Sequence, residues 1–376
     1  MIMNRIRIFA AFAAIVLLLA ACGQNQDIRT ATQPQEGTTE VSNPEPAEET
    51  PAPEAQETPT PSAEETPVPS ADKDEDEEPK EEVKKNDKDV DLIFFMGQSN
   101  MSGAAGDPSA APYVSPDAGE EFRAVSDPTR LYPITEPFGV NENNPSGISE
   151  YPGAKKGSLV SAFVNKYHEL TGRKVIAVSM SKGATFIGDW TTPGVLADVS
   201  ERFEKAKNYL RSNGYTIGHM YVVWLHGESD GIKGTDPAVY GTGLDDVMRP
   251  FFIGGLQKVF IIMPGRTIDY RDILLPIINE QMKICGESGY YAVATTILTR
   301  VSTEYMRDQY HYNQHVLNLV GIKAAESVAY YTNHNEEMIV YDYKNGGYIV
   351  PEGVDEESAQ REQPLRLEDL NIDEIY

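Results

Sequence analysis

Ser99, Asp308 and His311 have the types and the spacing to run a reaction between them. A serine hydroxyl is a poor nucleophile until a base takes its proton, and that base needs a carboxylate to orient it. In Asp308-Gln309-Tyr310-His311 the acid and the imidazole stand three apart, so one loop can set the carboxylate on one ring nitrogen and leave the other free for serine. His315 competes as the base, but only His311 follows an acidic residue by three. Ser99 sits in Gly97-Gln98-Ser99-Asn100-Met101, directly after an apolar run. Gly97 lets the chain turn tightly, and a helix starting near Ser99 would aim N–H groups at a developing oxyanion. The chemistry of this set is acyl transfer, which needs no cofactor.

A rival lies mid-chain in His226-Gly227-Glu228-Ser229-Asp230. On a continued strand, residues i, i+2 and i+4 point one way, and His226 with Glu228 and Asp230 would then ligate a divalent metal for a metal-dependent hydrolase. Gly227 and Ser229 argue that the strand has ended, and Glu228 then holds neighbouring loops by accepting backbone N–H bonds. Trp190, in Gly188-Asp189-Trp190, has a face suited to sugar C–H groups but equally suited to core packing; Trp224, inside an apolar run, reads as core.

Through these blocks the chain resembles the GDSL/SGNH hydrolase superfamily, and within it the sialate O-acetylesterase-like and acetylxylan esterase-like carbohydrate esterases. That branch opens on a Gly-Gln-Ser-Asn-Met block, carries a Gln-Gly-Glu-Ser-Asp-like block and closes on Asp-x-x-His. The resemblance covers roughly residues 88 to 330. It implies Ser99 as nucleophile, His311 and Asp308 as its partners, and N–H groups of Ser99 and Gly183 (in Met180-Ser181-Lys182-Gly183-Ala184) as oxyanion donors, with Gln98, Asn100 and Glu228 in support. The chain departs from the pattern at His226, where the family has Gln; an imidazole N–H would have to donate in its place.

The elements that must position these residues alternate along the chain. Short β-rich apolar runs at Val90–Met96, Lys174–Ser179, His219–Leu225, Lys258–Met263 and Tyr290–Thr296 are separated by segments with helical spacing at Ser158–Thr171, Leu196–Asn213, Ile273–Gly286 and Tyr312–Thr332. This alternation predicts one domain over 89–334, a three-layer α/β/α sandwich of the flavodoxin-like kind with a mostly parallel five-stranded sheet. Gly172 and Gly214 fall where helix C-caps are expected. Ligands of such sheets bind beyond the carboxyl ends of the strands, which is where the blocks at 97–100, 180–183 and 226–230 fall. The stretch Gly106–Gly157 lacks strand or helix period and is expected to rim a substrate groove. Residues 335–376 read as a small hairpin, turning at Lys344-Asn345-Gly346-Gly347, and an acidic tail without assigned chemistry.

The ends bound where the protein works. A basic start, a short apolar run and Leu19-Ala20-Ala21-Cys22 read as a signal peptide over 1–22 with a bacterial lipobox, so Cys22 would carry acyl chains and anchor the protein to the cell membrane on its extracytoplasmic side. The segment 23–88 holds nineteen acidic and six basic residues and few large apolar side chains, and nine of the chain's 25 prolines lie between Pro34 and Pro69. Such a segment cannot offset its ordering entropy and reads as an extended, disordered tether. It carries half of the formal net charge of −26. Cys285, the other cysteine, reads as a buried inert thiol.

No P-loop, dinucleotide-binding glycine pattern or basic patch is present, and an acidic chain is a poor nucleic-acid ligand. The same charge mildly disfavours anionic polymers as substrates. The expectation is a lipid-anchored extracytoplasmic serine esterase that removes O-acetyl groups from carbohydrate, without cofactor or structural metal. A metal-dependent hydrolase and a non-catalytic glycan-binding surface lipoprotein remain open beside it.

Overall fold

The computed structural model describes residues 88–351 and 353–366. The expected signal peptide, Cys22 and almost all of the tether lie outside the described residues. In chain order the strands are β1 (Asp89–Gly97), β2 (Gly119–Phe122), β3 (Leu131–Pro133), β4 (Lys174–Ser181), β5 (Thr216–Leu225), β6 (Lys258–Ile262), β7 (Tyr291–Thr295), β8 (Val340–Asp342) and β9 (Gly347–Ile349). The α-helices are α1 (Ser99–Ser102), α2 (Val160–Thr171), α3 (Ile187–Trp190), α4 (Pro193–Ser212), α5 (Glu228–Lys233), α6 (Pro237–Ile253), α7 (Leu275–Glu287) and α8 (Gln314–His334).

β1 is buried from Val90 to Gly97 because it lies inside the sheet, flanked by β4 and β5, and is covered on both faces. A strand in that position reads as a continuous apolar run rather than an alternating one. Its side chains still divide by the period of two. Ile93 and Phe95 pack with α2 and α8, whereas Leu92, Phe94 and Met96 pack with α4, α6 and α7. Phe95 meets the Phe163 ring edge-on at 5.2 Å on one face, and Phe94 meets Phe203 at 5.0 Å on the other. The expected three layers are therefore present.

The sheet has seven strands rather than the expected five, in the order β3-β2-β4-β1-β5-β6-β7. The five predicted strands are all there and pair parallel; β2 joins β4 in parallel and β3 runs antiparallel at the edge. Both additions lie within Gly106–Gly157, which was read as lacking strands. Gly-Glu-Glu-Phe and Leu-Tyr-Pro are too short for a period to declare itself, and Glu121, buried there, is paired with Arg123 at 2.8 Å.

Helix α6 was also not foreseen. Its start carries plain signals, since Asp236 accepts hydrogen bonds from Ala238 N and Val239 N and Pro237 occupies the first helical position. Gly241, Gly243 and Pro250 interrupt the apolar spacing that would have marked its body. The cap at Gly172 is as expected, left-handed at φ +63° and donating to His168 O. Residues 340–349 form the antiparallel β8–β9 pair. Beyond it Glu362, in the segment without assigned chemistry, is buried and accepts hydrogen bonds from Thr295 Oγ1, Thr296 Oγ1 and Arg300, pinning the chain to the end of β7.

Candidate active site

The site grows from the turn at the carboxyl end of β1. Gly97 has φ +144°, and a Cβ there would lie 1.9 Å from Leu225 O, so only glycine lets β1 end this close to β5. α1 then begins at Ser99, which is nine-tenths buried with 9 % of its surface exposed. Gln98 knits this turn to the mid-chain block: its N–H donates to Leu225 O at 3.0 Å, and its Oε1 accepts from Gly227 N at 3.3 Å and Ser229 N at 3.4 Å.

Asn100 ties the same turn to the distal block. Its amide donates to Tyr310 O at 3.2 Å and its Oδ1 accepts from Tyr312 N at 3.4 Å, so it holds the backbone on both sides of His311. It also donates to Glu228 Oε1 at 2.9 Å. Asp308 and His311 are in direct contact, with Nδ1 at 2.9 and 2.8 Å from the two carboxylate oxygens. The Asp308 carboxylate further accepts the N–H groups of Tyr310 and His311. Burial pushes its pKa up, but these N–H bonds and the imidazole outweigh burial and hold it below the usual value, so it stays ionised. His311 Nε2 is left for another partner. No hydrogen bond links it to the Ser99 hydroxyl in this state; catalytic bonds of unliganded sites commonly tighten only with substrate.

Gly183 is beside Ser99. A Cβ placed on it would lie 3.5 Å from Ser99 Cβ and 3.4 Å from Glu150 Oε1. Lys182 N donates to Gly97 O at 2.9 Å and fixes this strand end to that of β1. Ala184 follows in the left-handed region at φ +56°, an uncommon conformation for a residue with a side chain. The Gly183 N–H donates to Glu150 Oε1 at 2.6 Å, and Ser102 Oγ donates to the same oxygen at 3.0 Å.

Two expectations centre on the mid-chain block. His226 is fully buried, with Trp224 at 4.9 Å, Tyr240 at 5.9 Å and Trp190 at 6.0 Å between ring centres. Burial lowers its pKa to about 3, so the ring is neutral, and its Nδ1 lies 3.4 Å from Tyr240 Oη. Its other ring nitrogen, Nε2, is buried without a hydrogen-bond partner. The continued strand that the metal reading required is absent, because Gly227 turns at φ +122° and α5 starts at Glu228. Glu228 reaches Asn100, while Asp230 accepts from Ile187 N at 2.9 Å. Among the described residues no group of three His, Cys, Asp or Glu side chains has the spacing to hold a metal ion.

The remaining sequence candidates fall outside the chemistry. Trp190 is 1 % exposed and packs edge-on to Trp224 at 5.0 Å, so it is core and not a sugar platform. Cys285 is a free thiol whose pKa burial pushes far up. Sequence reasoning missed two residues of the 106–157 stretch. One is Glu150 on the Gly183 N–H. The other is Lys155, whose Nζ donates at 3.0 Å to both Ser179 Oγ and Ser181 Oγ on β4. Burial lowers the Lys155 pKa to about 8, against the opposing field of Glu150. Neither residue has a neighbour in sequence that signals its distant partner.

The sequence profile of a carbohydrate esterase family, the sialic acid-specific acetylesterases, matches residues 89–329. No curated protein matches the chain. Among solved structures, a protein of Arabidopsis thaliana is similar at 15 % identity with a TM-score of 0.46, covering 63 % of this chain and 97 % of its own. A carbohydrate acetylesterase of Xanthomonas citri is similar at 14 % identity and TM-score 0.42, covering 66 % and 58 % respectively. An acetyl xylan esterase of Geobacillus stearothermophilus, in a substituted form, is similar at 9 % identity and TM-score 0.35, covering 64 % and 94 %.

Proposed function

Since this chain belongs to the sialic acid-specific acetylesterase family of carbohydrate esterases, and is therefore a carboxylic ester hydrolase, we propose that it removes O-acetyl groups from carbohydrate with Ser99 as nucleophile. His311 Nε2 takes the proton from Ser99 Oγ as the oxygen attacks the acetyl carbonyl carbon. The carbonyl π electrons move onto oxygen, and the N–H groups of Ser99 and Gly183 donate hydrogen bonds to the resulting oxyanion. The tetrahedral adduct collapses, the sugar oxygen leaves and takes its proton from the His311 imidazolium, and an acetyl-serine remains. Water attacks it with His311 again as base, releasing acetate and free Ser99. Asp308 stays ionised throughout and stabilises the imidazolium.

The observation that carries this reading is Asn100, which begins one residue after Ser99 and grips the chain on both sides of His311. Nucleophile and base are thereby held on one frame. The mechanism uses two backbone oxyanion donors and assigns no step to His226. The deciding experiment is acetate release from a panel of acetylated glycans. A serine-directed organophosphonate should abolish it and a chelator should leave it intact; the reverse pattern would overturn the serine mechanism.

We further propose that the enzyme works at a membrane surface, tethered through Cys22 by the Pro- and Glu-rich segment. The composition of residues 1–88 supports this. Cys22→Ser should move the protein from the membrane fraction to the soluble fraction, and wild-type protein already free in the medium would end the lipid-anchor reading.

A further inference from the structure

The Gly183 N–H already has an anion on it. Glu150 Oε1 lies 2.6 Å from that nitrogen, the length of a strong charge-assisted bond, and Ser102 Oγ holds the same oxygen at 3.0 Å. The carboxylate occupies space beside Ser99, as the distances from a notional Gly183 Cβ show, 3.4 Å to Glu150 Oε1 and 3.5 Å to Ser99 Cβ. A carbonyl oxygen cannot use the N–H while the carboxylate does, and a tetrahedral oxyanion beside it would be repelled.

The backbone that carries Glu150 is fastened. Its N–H donates to Asn143 Oδ1 at 2.8 Å and its carbonyl accepts from Asn143 Nδ2 at 3.2 Å. Upstream, Asn144 and Ile148 are held by Asp198, itself paired with Arg202 in the interior. Downstream, Lys155 is bound to Ser179 and Ser181. The segment is thus anchored on either side, and only the side chain of Glu150, which is half-buried, is left to move.

We propose that Glu150 is a specificity-determining residue that competes with substrate and with product acetate for the Gly183 N–H, and that its carboxylate swings away when the acetyl carbonyl enters. This rests on the reading of Gly183 as an oxyanion donor. The enzyme then binds a neutral ester, whose carbonyl gains strength as charge develops, in preference to a free carboxylate, which must displace an equal. Product inhibition is suppressed at some cost in substrate affinity.

The test compares wild-type, Glu150→Gln and Glu150→Ala proteins on 4-nitrophenyl acetate, with sodium acetate as inhibitor. Removing the resident anion is expected to lower KM and to strengthen acetate inhibition, each by roughly tenfold, the worth of one charge-assisted hydrogen bond. Gln, a neutral acceptor of the same size, should fall between wild type and Ala. It decides the matter if the Ala protein fails to fold. Folded variants with unchanged or weaker acetate inhibition, or with kcat/KM reduced, overturn the proposal. Acetate binding is also measured by calorimetry in Ser99→Ala and Ser99→Ala/Glu150→Gln proteins, where no turnover is needed. Tighter binding in the double variant supports the role of Glu150 even if Ser99→Ala alone retains activity and the serine reading fails; equal binding overturns it.

Discussion

The two ends of β1 each bury a carboxylate environment, and they are built on opposite terms. At the amino end Asp91, fully buried, accepts from Tyr167 Oη at 2.7 Å, Arg173 Nε at 2.6 Å and both the backbone and the ring of His219. Burial pushes its pKa up, yet the donors from His219, Arg173 and Tyr167 win and hold it below the usual value. At the carboxyl end Glu228 has one oxygen on Asn100 and the other, Oε2, buried without a partner, and burial pushes its pKa up. The first carboxylate is saturated and serves the fold. The second belongs to a region whose polar groups are left partly unmatched, as groups that must serve a reacting substrate are.

If this division holds, changes at the carboxyl end should strike turnover and changes at the amino end should strike stability. Ser99→Ala should lower kcat by about 10⁴-fold or more with an unchanged urea midpoint, because it removes the only nucleophile. A folded variant keeping a few per cent of turnover breaks the assignment. Asp308→Asn should lower kcat/KM by roughly 10²–10⁴-fold, the range of general-base catalysis. Its fold should survive, since the Asp308 side chain is 52 % exposed; circular dichroism and steady-state kinetics on one preparation check both halves.

Asp91→Asn should do the reverse, costing about 3 kcal/mol of stability because it leaves the donors around a buried site without their charge. Turnover per folded molecule should be unaltered. Urea unfolding and active-site titration together measure this, and a large loss of kcat would erase the contrast between the two ends.

The smallest and sharpest comparison is in pH. Asp91 has a folded pKa below 3.8, so its contribution is present above that value and disappears as pH falls through the folded pKa. Glu228 has a folded pKa above 4.5, so the folded state disfavours its ionisation and loses stability as pH rises through the folded pKa. Glu228→Gln should therefore have a higher Tm than wild type at pH 7, and the gain should vanish below pH 4.5. A Tm difference that is the same at pH 4 and pH 7 would contradict the burial argument.

Much of this division is visible in the sequence. The five parallel strands announce themselves because buried strands are uninterrupted apolar runs, and the Asp308–His311 pairing follows from a spacing of three. What was hidden depends on contacts between distant segments. Nothing in Gly-Glu-Glu-Phe says that β2 will be recruited by β4. Nothing around Glu150 says that its carboxylate will find Gly183. The surroundings of His226 were hidden for a related reason: Trp190 and Tyr240, which enclose its ring, are not adjacent to it in sequence.

Glu362 draws a boundary that homology alone would put elsewhere. The family profile ends at residue 329, but Glu362 is inserted beneath Thr295, Thr296 and Arg300 at the end of β7, with two nitrogens of Arg300 already lacking partners in the interior. A chain cut where the resemblance stops would keep Arg300 but remove both of its partners, the Glu362 carboxylate and the Tyr341 ring. The unit that is inherited and the unit that holds together are therefore of different lengths, and the longer one is the piece to express, to shuffle into other enzymes or to extend with a fusion partner.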